Sequence, residues 1–342
     1  MNRTTTHRRT LAATATALLA FGLLGAGPAT AHGGGDSRAN HQQQRGHGHD
    51  HGKGHQHGKG HGHGKGHHHG KCKDGRTVPE KKIGIQLYSY LGWQNEIGID
   101  GVIDELEEVG LRNVEPFGTP GGFGSYEDYS PAQFRTELHD HGMKAPSSHG
   151  STDEATFDVT LQYAKDLGQK FVGSGGFAAP GISGGYENVV ATAETMNRLG
   201  ERSVKNGTGK FFGHNHAGEF QTMYADPDTG EMKSAWHILE EHTDPRYVAF
   251  EVDVYWATAA GVDVVELLEE YGDRIDLLHI KDGVAPYGRG DITDVGEGDI
   301  DWAPILRAAH GKIDYYILER DGAPNSAEFA QDSFEYLSTL RY

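Results

Sequence analysis

Phe250-Glu251-Val252-Asp253-Val254-Tyr255-Trp256 is an apolar run with carboxylates at alternate places. A strand sends alternate side chains to opposite faces, so Glu251 and Asp253 share one face. Leu278-His279-Ile280-Lys281-Asp282 repeats the arrangement with His279 and Lys281. Gly213-His214-Asn215-His216 does so with His214 and His216. Ionisable groups on the inner face of an apolar strand are costly unless they are paired or bind a metal. Helical patterns follow these runs, at 262–271, 303–310 and, after a loop, 235–241.

Outward from these three runs the alternation continues. Strand signals fall at 83–88, 113–117, 143–148, 170–173, 210–216, 248–254, 275–280 and 314–318. Helical patterns separate them, near 100–109, from 131, from 151, at 187–205 and, last, at 327–340. Ser130-Pro131 reads as an N-cap followed by proline at the first helical position. Ser151-Thr152-Asp153-Glu154 reads as a capping box. Eight strand–helix units within 260 residues predict an α/β fold, a (β/α)8 TIM barrel over residues 79–342. A doubly wound open sheet is the alternative, but no glycine-rich dinucleotide or phosphate loop follows the first strand.

The rest of the chain has a different character. Arg3, Arg8 and Arg9 precede an uncharged apolar stretch from 11 to 27, and Ala29-Thr30-Ala31 offers a small-residue cleavage site. Residues 1–31 are therefore expected to be a signal peptide cleaved near Ala31, giving a secreted or extracytoplasmic protein. His7-Arg8-Arg9-Thr10-Leu11 resembles a twin-arginine signal; a Sec signal is the alternative. Retention of 11–31 as a membrane anchor is disfavoured by Pro28 and its small neighbours. Residues 32–78 are rich in His, Gly and Lys; twelve of the 22 histidines lie between His32 and His69. This segment has no apolar periodicity and is expected to be disordered. Its imidazoles suit transition metals such as Zn, Ni or Cu, as a capture device or as an incidental property of a linker. Cys72, the single cysteine, excludes a disulfide framework.

Charge separates the two parts. Residues 1–82 hold 13 basic and 4 acidic side chains, a net of +9. The remaining 18 basic and 45 acidic side chains give the 260-residue remainder a net of −27. Such a domain is a poor partner for nucleic acid, which is bound by neutralising phosphates with Lys and Arg.

In a barrel, all strand ends meet on the face where active sites lie. Here they read Glu115, His149, His214 to His216 with Glu219, Glu251 with Asp253, His279 to Asp282, and Glu319 to Asp321. Carboxylates mixed with imidazoles suit one divalent ion: Mn, Zn, Co or Mg.

With these motifs in place, residues 83–342 resemble the xylose isomerase-like TIM barrels, the sugar phosphate isomerase/epimerase family. The matching stretches span the domain: 83–88, 113–117, 213–216, 250–256, 278–282, Gly296-Glu297-Gly298-Asp299-Ile300-Asp301-Trp302, and Leu318-Glu319-Arg320-Asp321. The resemblance implies a metal site of strand-five Glu, strand-six Asp, strand-seven His and strand-eight Glu. Asp253, His279 and Glu319 take the last three places. The strand-five place departs from the pattern: His216 is the expected ligand, with His214 as rival and Glu219 able to swing in. In family epimerases the strand-five and strand-eight Glu form an acid/base pair, so losing one bears on the reaction.

Other roles follow from type and position. Glu115 and His149 are candidates for proton transfer, against plain hydrogen bonding. Lys281 is a candidate for stabilising an enolate, against an ion pair with Glu251. Glu319 is a candidate acid/base as well as a ligand. His214, Glu219, Glu251 and Trp256 are expected around the substrate. The 296–302 stretch is expected to shape a loop at the site and to cap the next helix through Asp299 or Asp301. His139, His141, His237, His242 and His310 read as structural.

The implied chemistry starts from a sugar chelated to the metal, which acidifies the carbon-bound hydrogen beside the carbonyl. Proton return then gives isomerisation or epimerisation. The leading reading is an exported, metal-dependent carbohydrate isomerase or epimerase working through an enediolate on an unphosphorylated sugar or keto-sugar. The alternative is a metal-assisted 3-keto-glycoside lyase or hydrolase, which the missing strand-five Glu suits. A non-catalytic envelope metal-binding protein and a phosphodiesterase of the endonuclease IV type are the remaining readings.

Overall fold

The computed structural model describes residues 75–118 and 129–342. The expected signal peptide, Cys72 and nearly all of the His-rich segment lie outside the described residues. Among the described residues no helix is long and apolar enough to cross a membrane.

The strands, in chain order, are β1 (Ile83–Gln86), β2 (Asn113–Glu115), β3 (Phe171–Ser174), β4 (Lys210–His214), β5 (Met223–Ala225), β6 (Met232–Ser234), β7 (Val248–Asp253), β8 (Ile275–Ile280), β9 (Asp282–Gly283), β10 (Ile292–Thr293) and β11 (Tyr315–Leu318). Seven of them form one parallel sheet in the order β2-β1-β11-β8-β7-β4-β3. Residues 143–149 close the ring between β2 and β3. Val114 N donates to Lys144 O at 3.0 Å, His149 N to Pro116 O at 2.9 Å, and Gly150 N to Gly173 O at 2.8 Å. This is the expected third strand, reduced to isolated bridges. Pro146 has no N–H for the ladder, and its carbonyl instead accepts from Lys170 N and Phe171 N. The barrel therefore closes with eight staves.

Helices cover the outside with apolar stripes. Trp302–Ala309 buries Trp302, Ile305, Leu306 and Ala309, the i, i+3, i+4, i+7 spacing of one helix face. Ser130 caps Pro131–Asp140 in a full capping box with Gln133. The expected box at 151–154 is a turn instead; Asp153 accepts from Ala155 N, and the helix begins at Phe157. Two hairpins are additions to the plain barrel: β5 with β6, and β9 with β10.

Inside the barrel, Phe171, Phe212, Leu277, Tyr315 and Ile317 form a separate apolar cluster that fills the lumen. Gly173 makes room for it, because a Cβ there would stand 2.4 Å from the Phe212 ring. The polar side chains at the strand ends follow this plug along the strands.

Candidate active site and metal centre

The strands deliver two tiers of polar side chains to the C-terminal mouth. A register shift between Phe250 and Glu251 pairs Glu251 with Leu277 and Asp253 with His279. A bulge of this kind re-aims side chains, and here it brings both carboxylates level with the β8 residues.

The deeper tier is a closed network. Glu115 Oε1 accepts from Gln86 Nε2 at 2.7 Å, and Ser147 Oγ donates to Glu115 Oε2. His279 Nε2 lies 2.9 Å from Glu115 Oε1 and 3.2 Å from Glu251 Oε2. His149 Nε2 lies 2.7 Å from Glu251 Oε2 and 3.1 Å from Glu115 Oε1. His214 Nδ1 lies 3.1 Å from Glu251 Oε2.

The upper tier lies further along the strands and is as buried as the lower one, in which only His149 is partly exposed. His279 Nδ1 is 2.8 Å from Glu319 Oε2, and His214 Nε2 is 3.9 Å from Asp253 Oδ2. Lys281 Nζ stands 2.7 Å from Glu319 Oε2, 3.2 Å from Asp253 Oδ2 and 3.7 Å from Asp321 Oδ1. Lys281 thus pairs with Asp253 and Glu319 rather than with Glu251. Asn215 fixes the Asp253 backbone, accepting from its N at 3.0 Å, while Asp253 Oδ1 caps the next helix through Trp256 N.

Electrostatics follow from this packing. Burial opposes charge on His149, but Glu115 and Glu251 outweigh it and raise the ring to about 9. Burial likewise opposes charge on His279, yet Glu251 and Glu319 hold it well above the usual imidazole range. Burial and the neighbouring His279 keep His214 neutral, well below that range. Lys281 is buried, but Asp253 and Glu319 push it up. Glu319 is buried too, and Lys281 with His279 holds it well below the carboxylate range. Burial dominates at Asp253 and raises it despite Lys281.

Two sets of side chains have ligand atoms within 4.8 Å of one another: His214, Asp253, His279 and Glu319, and the deeper His149, His214, Glu251 and His279. The upper set fits a divalent ion. Its donors are two imidazoles and two carboxylates; Asp253 Oδ2 is buried and ion-paired with Lys281 without accepting a hydrogen bond, and Glu251 Oε1 is buried with no hydrogen-bond partner. The deeper carboxylates also set the tautomers. Glu251 is placed to accept from His214 Nδ1–H, which would leave Nε2 toward Asp253, and Glu115 to accept from His279 Nε2–H, which in the neutral ring would leave Nδ1 toward Glu319.

Several expected roles shift. His214, not His216, joins the upper set. His216 is the next inward-facing position on the chain but follows the end of β4; its ring lies 5.9 Å from Trp256, and burial followed by Lys281 lowers it to about 4. Glu219 does not swing in, because its Oε2 accepts from His216 N at 2.8 Å. Glu115 and Glu251 are fully sequestered beneath the ligands rather than lining a substrate cavity. Trp256 stands at the mouth, with Lys281 Nζ 5.8 Å and the Arg289 guanidinium 6.0 Å from its ring centre. Asp301 occupies the N-cap of Trp302–Ala309 without a side-chain cap bond. Asp299 instead accepts from Ala285 N. Asp282 anchors the 296–302 loop by accepting from Gly296 N and Trp302 Nε1. A Cβ on Gly298 would fall 2.0 Å from Asp282 Oδ1, which explains the glycine. Gln86, Ser147, Asn215 and Arg289 escaped the sequence reading. Gln86 was within reach of it, since it ends the alternation Ile83-Gly84-Ile85-Gln86.

This is a barrel whose mouth carries a His/carboxylate cluster that could hold a metal ion. The model of the xylose isomerase-like TIM barrel family matches residues 103–340, and the chain belongs to that family. It is similar to an inosose dehydratase from Geobacillus kaustophilus (strain HTA426), 26% identical in an alignment of 316 residues covering 78% of this chain and 96% of the relative. Among solved structures it is similar to a sugar phosphate isomerase/epimerase from Parabacteroides distasonis ATCC 8503, with 25% identity, 77% of this chain and 95% of that one covered, and a TM-score of 0.63. The fold is also shared with the IolI protein crystallised with a bound zinc atom, at 17% identity, 74% and 94% coverage and a TM-score of 0.54.

Proposed function

We propose that this chain is an exported, metal-dependent lyase or dehydratase acting on an unphosphorylated keto-sugar or keto-polyol. The carrying observation is His214 in the strand-five ligand position. One of its nitrogens faces Glu251 and the other Asp253, so an imidazole rather than a carboxylate takes that place. Epimerisation needs proton transfer on two faces of one carbon; elimination needs one base and stabilisation of the charge that develops. Similarity to an inosose dehydratase supports the same reading.

His214, Asp253, His279 and Glu319 would hold a divalent cation, which would supply Lewis-acid polarisation of the substrate carbonyl. Lys281 stays charged between Asp253 and Glu319, placed to stabilise oxyanion character. His216 is neutral and at the rim, fit to accept the proton from the carbon beside the carbonyl. Loss of that proton forms the carbon–carbon double bond as the oxygen substituent one carbon further on leaves with its electron pair and takes up a proton. Trp256 offers a wall for the sugar ring. Glu115 and Glu251 hold the two histidine ligands, and His149 bridges those two carboxylates. The basic, apolar start of the chain supports export, and the His-rich segment supports metal capture beside the enzyme.

The test is proton exchange and product analysis in D2O with an inosose and a 3-ketoglucoside. Deuterium uptake beside the carbonyl with release of water or alcohol, both lost in Asp253→Ala and on chelation, is the expected result. The second reading, isomerisation or epimerisation, is favoured by the similarity to the Parabacteroides isomerase/epimerase. It wins if the sugar is interconverted without loss of a substituent. Absence of exchange across both substrates would sink both readings.

A further inference from the structure

The β9–β10 hairpin carries a loop, 284–291, that projects one cation over the mouth. The loop is built rather than slack. Val284 N donates to Asp291 O at 2.9 Å, Tyr255 Oη to Gly288 O at 2.7 Å, and Ala285 N to Asp299 Oδ2 at 2.9 Å. Tyr287 has φ of 64°, a left-handed conformation uncommon for a side-chain-bearing residue, and its ring meets Tyr255 edge-on. This scaffold places Arg289 6.0 Å above the Trp256 ring, the ring that Lys281 approaches at 5.8 Å. Arg289 lies close enough for its charge to act on His216 and Asp321.

Arg289 makes no ion pair or hydrogen bond among the described residues. Its side chain is exposed, and Arg112 and Arg135 likewise pair with no acid, but Arg289 alone of these three stands at the mouth. Arg198, Arg202, Arg246, Arg274 and Arg320 each pair with an acid. Two acids that anchor the loop are turned to backbone, Asp291 accepting from Gly288 N and Asp299 from Ala285 N, while Asp321 lies 3.7 Å from Lys281 Nζ. A guanidinium held on an aromatic face with its donors free matches the planar, bidentate geometry of a carboxylate. We infer that Arg289 is a specificity residue that reads a carboxylate on the substrate, so that the preferred substrates are sugar acids. The inference rests on the carbohydrate reading of the site above, and its test does not depend on turnover.

The experiment is calorimetric titration of the full chain, loaded with Mn2+ or Zn2+ at low salt, with D-glucuronate, D-glucose and glucose 6-phosphate. Wild type should bind glucuronate at least about tenfold more tightly than glucose, the scale of one charge-assisted bidentate contact. Arg289→Ala should bind the two equally, leaving glucose affinity and thermal unfolding unchanged; Arg289→Lys should fall between. The preference should shrink with added salt. The inference is overturned if wild type favours glucose, binds glucuronate no better than glucose or not at all, or prefers the phosphate ester. It is equally overturned if Arg289→Ala keeps the preference. A glucuronate preference alongside absent proton exchange would reject the lyase reading and leave the Arg289 assignment standing.

Discussion

The barrel lumen has two storeys built by the same strands on opposite principles. Below, Phe171, Phe212, Leu277, Tyr315 and Ile317 pack into an apolar plug. Above, strand positions two residues further on place His214, His279 and Glu319 in a buried polar cluster with Glu115, Glu251, Asp253 and Lys281. The plug stabilises by removing apolar surface from water. The cluster withdraws charges from water and recovers that cost only through mutual pairing and, on our reading, a cation. On our proposal the lower storey carries stability and the upper one chemistry, so perturbing each should give a different signature.

The largest expected effect is on the lower storey. Phe212→Ala leaves a void between Gly173 and the imidazole tier, and large-to-small changes of this kind cost about 3–5 kcal/mol. Denaturant unfolding should show that loss, while the protein still folded at low temperature keeps its metal stoichiometry. Loss of the metal from folded Phe212→Ala protein would break the division between the storeys.

A somewhat smaller effect, with a distinctive sign, belongs to Lys281. Its ammonium stands between Asp253 and Glu319, two of the proposed ligands. Lys281→Met removes the ammonium from Asp253 and leaves Glu319 with His279 alone, and breaking a buried pair costs on the order of 3 kcal/mol. In chelator the variant should melt well below wild type. A divalent ion replaces the missing charge without competing with an ammonium, so the metal-induced rise in Tm should exceed that of wild type. An equal rise in both proteins would mean that Lys281 and the ion do not share those oxygens.

The two storeys also differed in how far they were legible in the sequence. The eight-unit plan was readable because alternating strands and periodic helices are local signals, and only Pro146 thinned one strand to bridges. The strand-end alternation identified the polar storey as a set. It did not separate His214 from His216, because β4 stops at His214 and the next inward position belongs to the following turn. The depth of Glu251 relative to Asp253 depends on a register shift against β8, a long-range feature that no local pattern carries. Glu219 looked like a spare ligand until its backbone bond to His216 N was seen. Arg289 had no sequence signal, since its place is set by the hairpin and by the acids that anchor it.

The smallest effect sharpens the boundary inside the upper storey. Glu251 touches His149, His214 and His279 but lies below the ligand set, so its part is to orient imidazoles and hold their charge. Glu251→Gln keeps the shape and an acceptor for His214 Nδ1–H while removing the charge. Supporting carboxylates of this kind change metal affinity by about 10–100-fold. Chelator competition should find that weakening with the stoichiometry unchanged. The same substitution removes one of the two carboxylates that raise His149 to about 9, so its titration should move downward, with Glu115 retaining part of the rise. A weaker metal together with a lower His149 places Glu251 beneath the ion as a positioning group. Complete loss of the metal would instead make Glu251 a ligand, and the deeper set of His149, His214, Glu251 and His279 would become the metal site.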